Sequence, residues 1–260
     1  MNLCIDQGNS RTKVALFDDG KLIKAIIYKT FHAADIERLF SLYPITDSII
    51  SSVVNIEPAV VNILHRNSKH FVLFDHYTPL PITNTYHSPE TLGQDRLAAA
   101  IGAVFLCPHE NLLIIDAGSA ITYDFVSENN EYIGGNIAPG VKMRLTILNR
   151  MTKKLPLVEV EDNELIPLFG KTTRDAIAAG VVRGIAFEVK GYIRTLSERC
   201  KHFTVFLTGG NAPYILNNCR FGKSSTDAPS EPNEKRVIPA FRLEKNLVLI
   251  GLNQILEFNK

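Results

Sequence analysis

A chain of 260 residues that is 45% hydrophobic can bury a substantial core, which argues against intrinsic disorder and leaves room for one or two globular domains. Its 28 basic and 27 acidic residues nearly cancel, so no broad field attracts nucleic acid or an anionic membrane, and small molecules or proteins are the expected partners. No apolar run approaches the ~20 residues that span a bilayer, no basic leader precedes the first apolar segment, and the four cysteines show no CxxC spacing; a reduced, cytoplasmic protein is expected.

The chain opens with an apolar run, Leu3 to Ile5, then the turn DQGNSRTK over residues 6–13, then a second strand from Val14 to Phe17. Asp18, Asp19 and Gly20 turn again into a third strand, Lys21 to Lys29, so a β-meander is predicted. Apolar spacing predicts a helix over Ala33–Leu42, DSIISSVV reads as a strand ending near Asn55, and Pro58–Asn67 reads as a second helix. A proline-rich irregular stretch, Thr78 to Pro89, leads to LGQDR at residues 92–96 and an alanine-rich helix closed by Pro108.

The opening pattern then returns. NLLIIDAGSAITYDFV, residues 111–126, is an apolar strand, an acid, a glycine turn and another strand; it aligns Asp6, Gly8 and Ser10 with Asp116, Gly118 and Ala120, with the hydroxyl displaced to Ser119. A duplicated fold is the simplest reading. After YIGGNIAPG comes a long helix from Thr173 to about Glu198, with Ile177, Val181, Ile185 and Val189 on one face and Gly180 and Gly184 on the neighbouring stripe. Glycine costs about 1 kcal/mol in a helix interior, so the pair predicts close approach of another backbone, from the same chain or a second one. A strand in FTVFLTGGNA, a polar segment from Gly222 to Arg236 that reads as a mobile loop, and a closing helix from Asn246 complete the chain.

A glycine-bearing hairpin turns backbone N–H groups toward one point and forms an anion-binding concavity, to which Ser10, Thr12 and Lys13 add donors suited to a polyphosphate. Asp6 does not bind phosphate directly. Its use is to hold hydrated Mg²⁺, which keeps several waters and takes one or two carboxylates when it travels with nucleotide. The alternative is an ordinary hairpin with a polar turn, and the repeat favours the nucleotide. DAGSA at 116–120 is a second turn of this type, so that two hairpins facing across a cleft would grip one nucleotide, and TGGNA at 208–212 is a third, where a flat base can lie against backbone.

In LGQDR an acid and a base adjoin at a helix start, where backbone donors favour negative charge. Asp95 is the candidate to accept a hydroxyl proton, and Arg96 to orient an anionic group or stabilise a transferring phosphoryl group. The alternative is a helix-start acid paired with its neighbouring arginine. GKTT at 170–173 resembles the tail of a P-loop, but the position that needs glycine holds Leu165, so a Walker A site is rejected and Thr172 or Thr173 is expected to cap the following helix. No GxGxxG occurs, His109 and Glu110 lack the second histidine of a zincin helix, and the seven histidines are scattered.

In their order and spacing these motifs resemble the type III pantothenate kinases, bacterial enzymes of the superfamily of acetate and sugar kinases, heat-shock ATPases and actin. DQGNSRTK resembles the first phosphate motif, GQDR the G-x-D-R signature, DAGSAITYD the second phosphate motif, GGNIAPG the loop after it, and GKTTRDAI the start of a family helix. The resemblance implies an α/β fold of two duplicated RNase H-like (actin-like ATPase) domains, 1–107 and 108–260, with mixed sheets flanked by helices, a central cleft, and assembly as a homodimer.

It further implies that Asp6, Gln7, Gly8, Asn9, Ser10, Arg11, Thr12 and Lys13 hold ATP phosphates with Ser119 at an ATP-contacting position. Pantothenate then meets Tyr86, Gly93, Gln94, Asp95, Arg96 and Thr173, and Asp95 is the proton acceptor. Asp116 matches a position that binds a monovalent cation, K⁺ or NH₄⁺, and Asp6 is the candidate for Mg²⁺ through water. The implied reaction is ATP-dependent phosphorylation of pantothenate to 4′-phosphopantothenate, the first step of coenzyme A biosynthesis. Ser10 and Ser119 depart from the family's threonines; serine keeps the hydroxyl, so the chemistry is expected to survive while nucleotide affinity stays open. Two other readings remain: an inactive regulatory homologue, opposed by the presence of Asp6, Asp95 and both phosphate loops, and a kinase for another hydroxyl substrate, opposed by the spacing of seven from Tyr86 to Gly93.

Overall fold

The computed structural model describes residues 1–161, 164–219 and 239–260; the polar segment 222–236 lies outside the described residues. In chain order the elements are β1 (Asn2–Gln7), β2 (Thr12–Asp18), β3 (Lys21–Tyr28), α1 (Ala33–Leu42), β4 (Asp47–Ser52), α2 (Pro58–Asn67), β5 (His70–Leu73), β6 (Thr83–Asn84) and α3 (Gln94–Leu106). Then come β7 (Leu112–Ala117), β8 (Ala120–Val126), β9 (Glu131–Pro139), α4 (Val141–Met151), α5 (Thr173–Arg199), β10 (Thr204–Thr208), α6 (Ala212–Cys219), β11 (Ala240–Leu243) and α7 (Leu247–Phe258). They form two compact units: Met1–Leu112 with Asp124–Gly134 and Asn246–Lys260, and Leu113–Tyr123 with Gly135–Lys245. These are spatial groupings, distinct from the sequence halves outlined by the repeated motif.

In the first unit the expected meander is present: β1, β2 and β3 pair antiparallel, while β4 and β5 join parallel to β1, giving a mixed sheet of order β3-β2-β1-β4-β5. Strand alternation sorts β1 by face. Leu3 and Ile5 bury against Ile36 and Leu39 of α1 and Val60 and Leu64 of α2. Asn2 points the other way and donates its amide to Asn253 Oδ1 and Glu257 Oε1 of α7, at 2.8 and 2.6 Å. Helices α1 and α2 have the expected bounds, and Pro58 at the first position of α2 suits a proline that lacks an N–H. Strand β4 ends at Ser52, before the expected Asn55, because Ser52 Oγ folds back to bond both the N–H and the carbonyl of Val54.

Helices α3 and α7 cross with almost no gap. A Cβ built on Gly251 would overlap the carbonyl oxygen of Ala98 in α3, and one on Gly102 would lie 3.1 Å from the Gly251 nitrogen and overlap the carbonyl oxygen of Leu247. Backbone therefore touches backbone at this crossing, and the helix that begins with Gln94, Asp95 and Arg96 is held by the C-terminal helix.

At the start of β4 Asp47 accepts from Thr46 Oγ1 at 2.8 Å, faces His70 Nδ1 at 2.7 Å and pairs with Lys260 Nζ at 3.2 Å. Burial alone would raise its carboxyl, but the hydrogen bonds from His70, Thr46 and Lys260 prevail and hold it down at about 2. A depressed carboxyl stabilises the fold above its ordinary value of 3.8, and that contribution is lost as pH falls toward about 2. Asp47→Asn is thus expected to cost about 1 kcal/mol at pH 7, after allowance for solvent screening. In thermal melts the gap from wild type should shrink as the pH drops below 4 and toward 3; a gap of constant size would contradict this account.

In the second unit the strand order is β11-β10-β7-β8-β9. The apolar stripe of α5, Ile177, Val181, Ile185 and Val189, buries as predicted, against Leu113 and Ile115 of β7, Ile121 and Tyr123 of β8, and Val205 and Leu207 of β10. Of the two sources expected for a close approach at Gly180 and Gly184, the described residues of the same chain supply none: apart from the helix's own neighbouring backbone, no described atom lies within 4 Å of a Cβ built on either. Among the described residues, no helix is long and apolar enough to cross a membrane.

Candidate active site

The turn between β1 and β2 is built by four residues, Gly8 to Arg11, and closes through the Gly8 N–H on the Arg11 carbonyl at 3.1 Å. Asp6 pairs across the hairpin with Lys13 and Gln7 with Thr12. Asn9, Ser10 and Arg11 are exposed at the tip, Asp6, Gln7, Gly8 and Lys13 are half-buried, and Thr12 turns into the core at 5% exposure. Gln7 is tied down at its carbonyl by the Val53 N–H and at Oε1 by Ser52 Oγ, so the base of the loop is braced by the end of β4.

The start of α3 carries the second group of residues. Gly93 is the N-cap, and its carbonyl accepts from Arg96 and Leu97 at 3.1 and 3.3 Å. Asp95 is half-buried; its Oδ1 accepts from the Arg96 backbone N–H at 2.9 Å. Burial is the largest influence on its carboxyl and pushes it above the usual carboxylate range, the Asp124 charge adds to the rise, and the Arg96 N–H and charge oppose it.

The Arg96 side chain does not serve as the partner of Asp95, as the helix-start alternative supposed. It turns inward, 6% exposed, and its Nε and Nη2 donate to Oδ1 of Asp124 at 2.9 and 2.6 Å. Tyr132 OH donates to the same oxygen at 2.6 Å, and the Arg96 guanidinium sits 5.9 Å from the centroid of the Tyr86 ring. Tyr86 in turn meets Tyr132 edge-on with ring centroids 6.2 Å apart, and its N–H is fixed by Asn84 Oδ1 at 3.0 Å. Asp124 is fully buried, and its other oxygen, Oδ2, has no hydrogen-bond partner in the described protein. Leaving such an acceptor unmet costs about 1–3 kcal/mol. Of the residues expected to meet substrate, Tyr86, Gly93, Asp95 and Arg96 are thus brought together. Asp124 and Tyr132 were not among the expected site residues, although an acid inside the apolar strand ITYDFV was a legible signal.

In the second unit, Gly118 and Ser119 make a tight turn between β7 and β8, closed by the Gly118 N–H on the Ala120 carbonyl at 3.0 Å. Two further turns press on it. Gly140, at the head of α4, donates to the Ser119 carbonyl at 3.1 Å, and a Cβ there would come within 2.6 Å of the Gly118 carbonyl. Gly209 adopts φ +88°, and a Cβ on it would overlap Asp116 Oδ1 and reach within 2.6 Å of the Ala117 carbonyl. Asn211 locks this arrangement: its N–H donates to the Ala117 carbonyl at 2.8 Å and its side-chain amide to the Gly118 carbonyl at 3.0 Å. Asp116 is half-buried at the end of β7, Ser119 is exposed, and among the described residues no atom beyond its chain neighbours lies within 4 Å of a Cβ built on Gly210.

Beside this turn lies a cavity of about 280 Å³, lined by Val141 and Leu145 of α4, Val158, Val160, Asn211 and Tyr214 among others. At the start of α5 the capping question is decided for Thr172, whose hydroxyl accepts from the Asp175 N–H at 3.1 Å; Thr173, the first helical residue, is exposed. Among the described residues no group of three or more His, Cys, Asp or Glu is placed to cage a metal ion. Single carboxylates such as Asp6 and Asp116 suit ions that keep other oxygen ligands.

Comparison with known proteins gives these motifs a family. The sequence model for type III pantothenate kinases matches residues 2–195. The chain belongs to the type III pantothenate kinases. The type III pantothenate kinase of Phocaeicola vulgatus is 40% identical over 260 residues, covering 100% of this chain and 99% of its own, and that of Bacteroides fragilis is 39% identical, covering 100% and 98%. In fold, this type III pantothenate kinase is similar to a ROK family glucokinase from Streptomyces griseus solved with glucose and AMPPNP, with a TM-score of 0.54 at 11% identity, covering 99% of each chain. Both units of this pantothenate kinase have the α/β architecture of mixed sheets flanked by helices expected for the sugar kinase and actin-like ATPase fold.

Proposed function

We propose that this type III pantothenate kinase moves the γ-phosphoryl group of ATP to the primary hydroxyl of pantothenate, giving 4′-phosphopantothenate and ADP for coenzyme A biosynthesis, with Asp95 as the base. Family membership supports the reaction and its substrates. The observation that carries the role of Asp95 is its carboxylate at the start of α3: half-buried, shifted upward by burial, and next to an arginine whose side chain is committed to Asp124. A carboxylate of raised pKa is a stronger proton acceptor.

The other residues take the roles implied by their motifs. The loop Asp6 to Lys13 holds ATP phosphates, Ser119 contacts ATP, and the adenine uses the cavity lined by Val141, Leu145 and Tyr214 beside Gly210. Tyr86, Gly93, Gln94, Arg96 and Thr173 hold pantothenate. Asp6 is the residue for Mg²⁺, and its single carboxylate fits an ion that arrives hydrated with the nucleotide; bound there, Mg²⁺ would neutralise charge on the phosphates. Asp116 is the residue for K⁺ or NH₄⁺, and the carboxylate and backbone carbonyl oxygens gathered at its turn are hard donors that fit such an ion. The enzyme works in the cytoplasm as a homodimer, for which the open Gly180 and Gly184 stripe of α5 is the supporting observation.

The test is a coupled ADP-release assay on purified protein. ADP release should require pantothenate, and replacing K⁺ by Na⁺ should lower it severalfold. No ADP release with pantothenate under any monovalent cation would favour the regulatory homologue, release with another alcohol alone would favour the second kinase reading, and equal rates in K⁺ and Na⁺ would remove the role given to Asp116.

A further inference from the structure

Asp124 on β8 has no part in the reaction as set out above, yet it is the hub of the buried polar group behind the α3 terminus. Its Oδ1 gathers three donors, two from Arg96 and one from Tyr132. Its Oδ2 is buried with no hydrogen-bond partner among the described residues, which is a poor arrangement for a pair kept only for stability. Arg96 follows Asp95 directly in sequence. A guanidinium released from Asp124 at that position has the Asp95 carboxylate as a neighbouring anion, and an ion pair between them would weaken Asp95 as a proton acceptor.

We propose that Asp124 is a positioning residue for the phosphoryl transfer: it holds the Arg96 guanidinium inward beside Tyr86 and so keeps the Asp95 carboxylate un-neutralised and available to the substrate hydroxyl. The inference rests on the kinase reading above. The charged groups that face Asp95 are Arg96 on its own helix and Asp124 from β8, while Tyr132 from β9 and Tyr86 from the segment before α3 face the Arg96–Asp124 pair. The influences on Asp95 agree in sign with this arrangement: the Asp124 charge raises its carboxyl and the Arg96 charge lowers it.

The experiment measures kcat/KM for pantothenate against pH at saturating Mg-ATP for wild type, Asp124→Asn, Arg96→Met and the double variant. Asp124→Asn should lose at least about tenfold in kcat/KM and move its acid limb to lower pH, because Asp95 loses a repelling charge and gains a nearby cation. Adding Asp124→Asn to Arg96→Met should cost less than about threefold further, since the residue acts through Arg96. An acid limb that stays in place, or losses that multiply in the double variant, would overturn the proposal; a purely structural aspartate gives that result. Should Asp124→Asn fail to fold, the double variant, in which the buried cation and its anion are both gone, is compared with Arg96→Met: equal activity supports the proposal and a further tenfold loss overturns it. A wild type that releases no ADP with pantothenate removes the kinase reading itself, whereas an active wild type with an unmoved Asp124→Asn acid limb removes this inference alone.

Discussion

Asp95→Asn is expected to lower kcat by about 10²–10⁴-fold, the usual contribution of a positioned general base, while leaving the thermal midpoint unchanged or slightly higher. Both halves of this expectation come from the same observation. The carboxyl of Asp95 is pushed up mainly by burial, with Asp124 adding to the rise. A carboxyl whose folded value is raised stabilises the protein only at low pH and loses that contribution as pH rises through the folded value, so above that value the ionised Asp95 works against the fold. Asparagine removes the charge and keeps an oxygen to accept the Arg96 N–H, which now meets Asp95 Oδ1 at 2.9 Å. In the wild type, kcat/KM should fall on acidification at a pH above the ordinary carboxylate value of 3.8, because only the ionised form accepts the proton. Steady-state kinetics beside differential scanning calorimetry separate the two effects. Near-normal turnover in Asp95→Asn would take the role of base away from it, and a large drop in thermal midpoint would mean that the residue is structural.

Gly251→Ala should damage stability more than a single added methyl ordinarily does. The new Cβ would overlap the Ala98 carbonyl, which is backbone of α3 and has no rotamer through which to move aside. Overpacking of a tight core costs 1–3 kcal/mol and occasionally more, and this contact lies at the upper end: about 3 kcal/mol, or roughly 6–12 °C in thermal midpoint for a chain of this size. Relief requires α3 and α7 to separate, and α3 carries Asp95 and Arg96 in its first turn. Displacement of reacting groups by about 1 Å can cost about 10²-fold in rate, so kcat/KM should fall as well, by 10-fold or more, in the fraction that remains folded. A melt within 2 °C of wild type together with unchanged kinetics would show that the helices absorb the methyl and that their crossing does not set the site.

Much of the site is legible in the sequence, and for a local reason. A carboxylate one residue before the end of an apolar strand, a glycine two residues later and a second strand describe a hairpin completely, and both copies, Asp6 with Gly8 and Asp116 with Gly118, take that form, each glycine N–H closing its own turn. Helices with strong periodicity, α1, α2 and α5, announce themselves in the same way, since their apolar positions lie within a few residues of one another. The elements that local pattern does not reveal are those that depend on what lies beside them. Strands β5, β6 and β11 have two to four residues and exist because β4, β9 and β10 supply their partners, and α4 buries only Leu145 among its own residues.

What the sequence by itself determined is the set of chemical groups and the turns that carry them: two acid-and-glycine hairpins, the aspartate and arginine at the head of α3, and membership of a kinase family through their order. Only the tertiary structure decided which anion Arg96 answers to. Asp95 is its neighbour in the chain, but the guanidinium reaches Asp124, 28 residues away. Burial supplies the physical reason: in the interior a charged group must find a partner with matched geometry, and the packing of strands and helices, which no local pattern encodes, fixes where that partner stands.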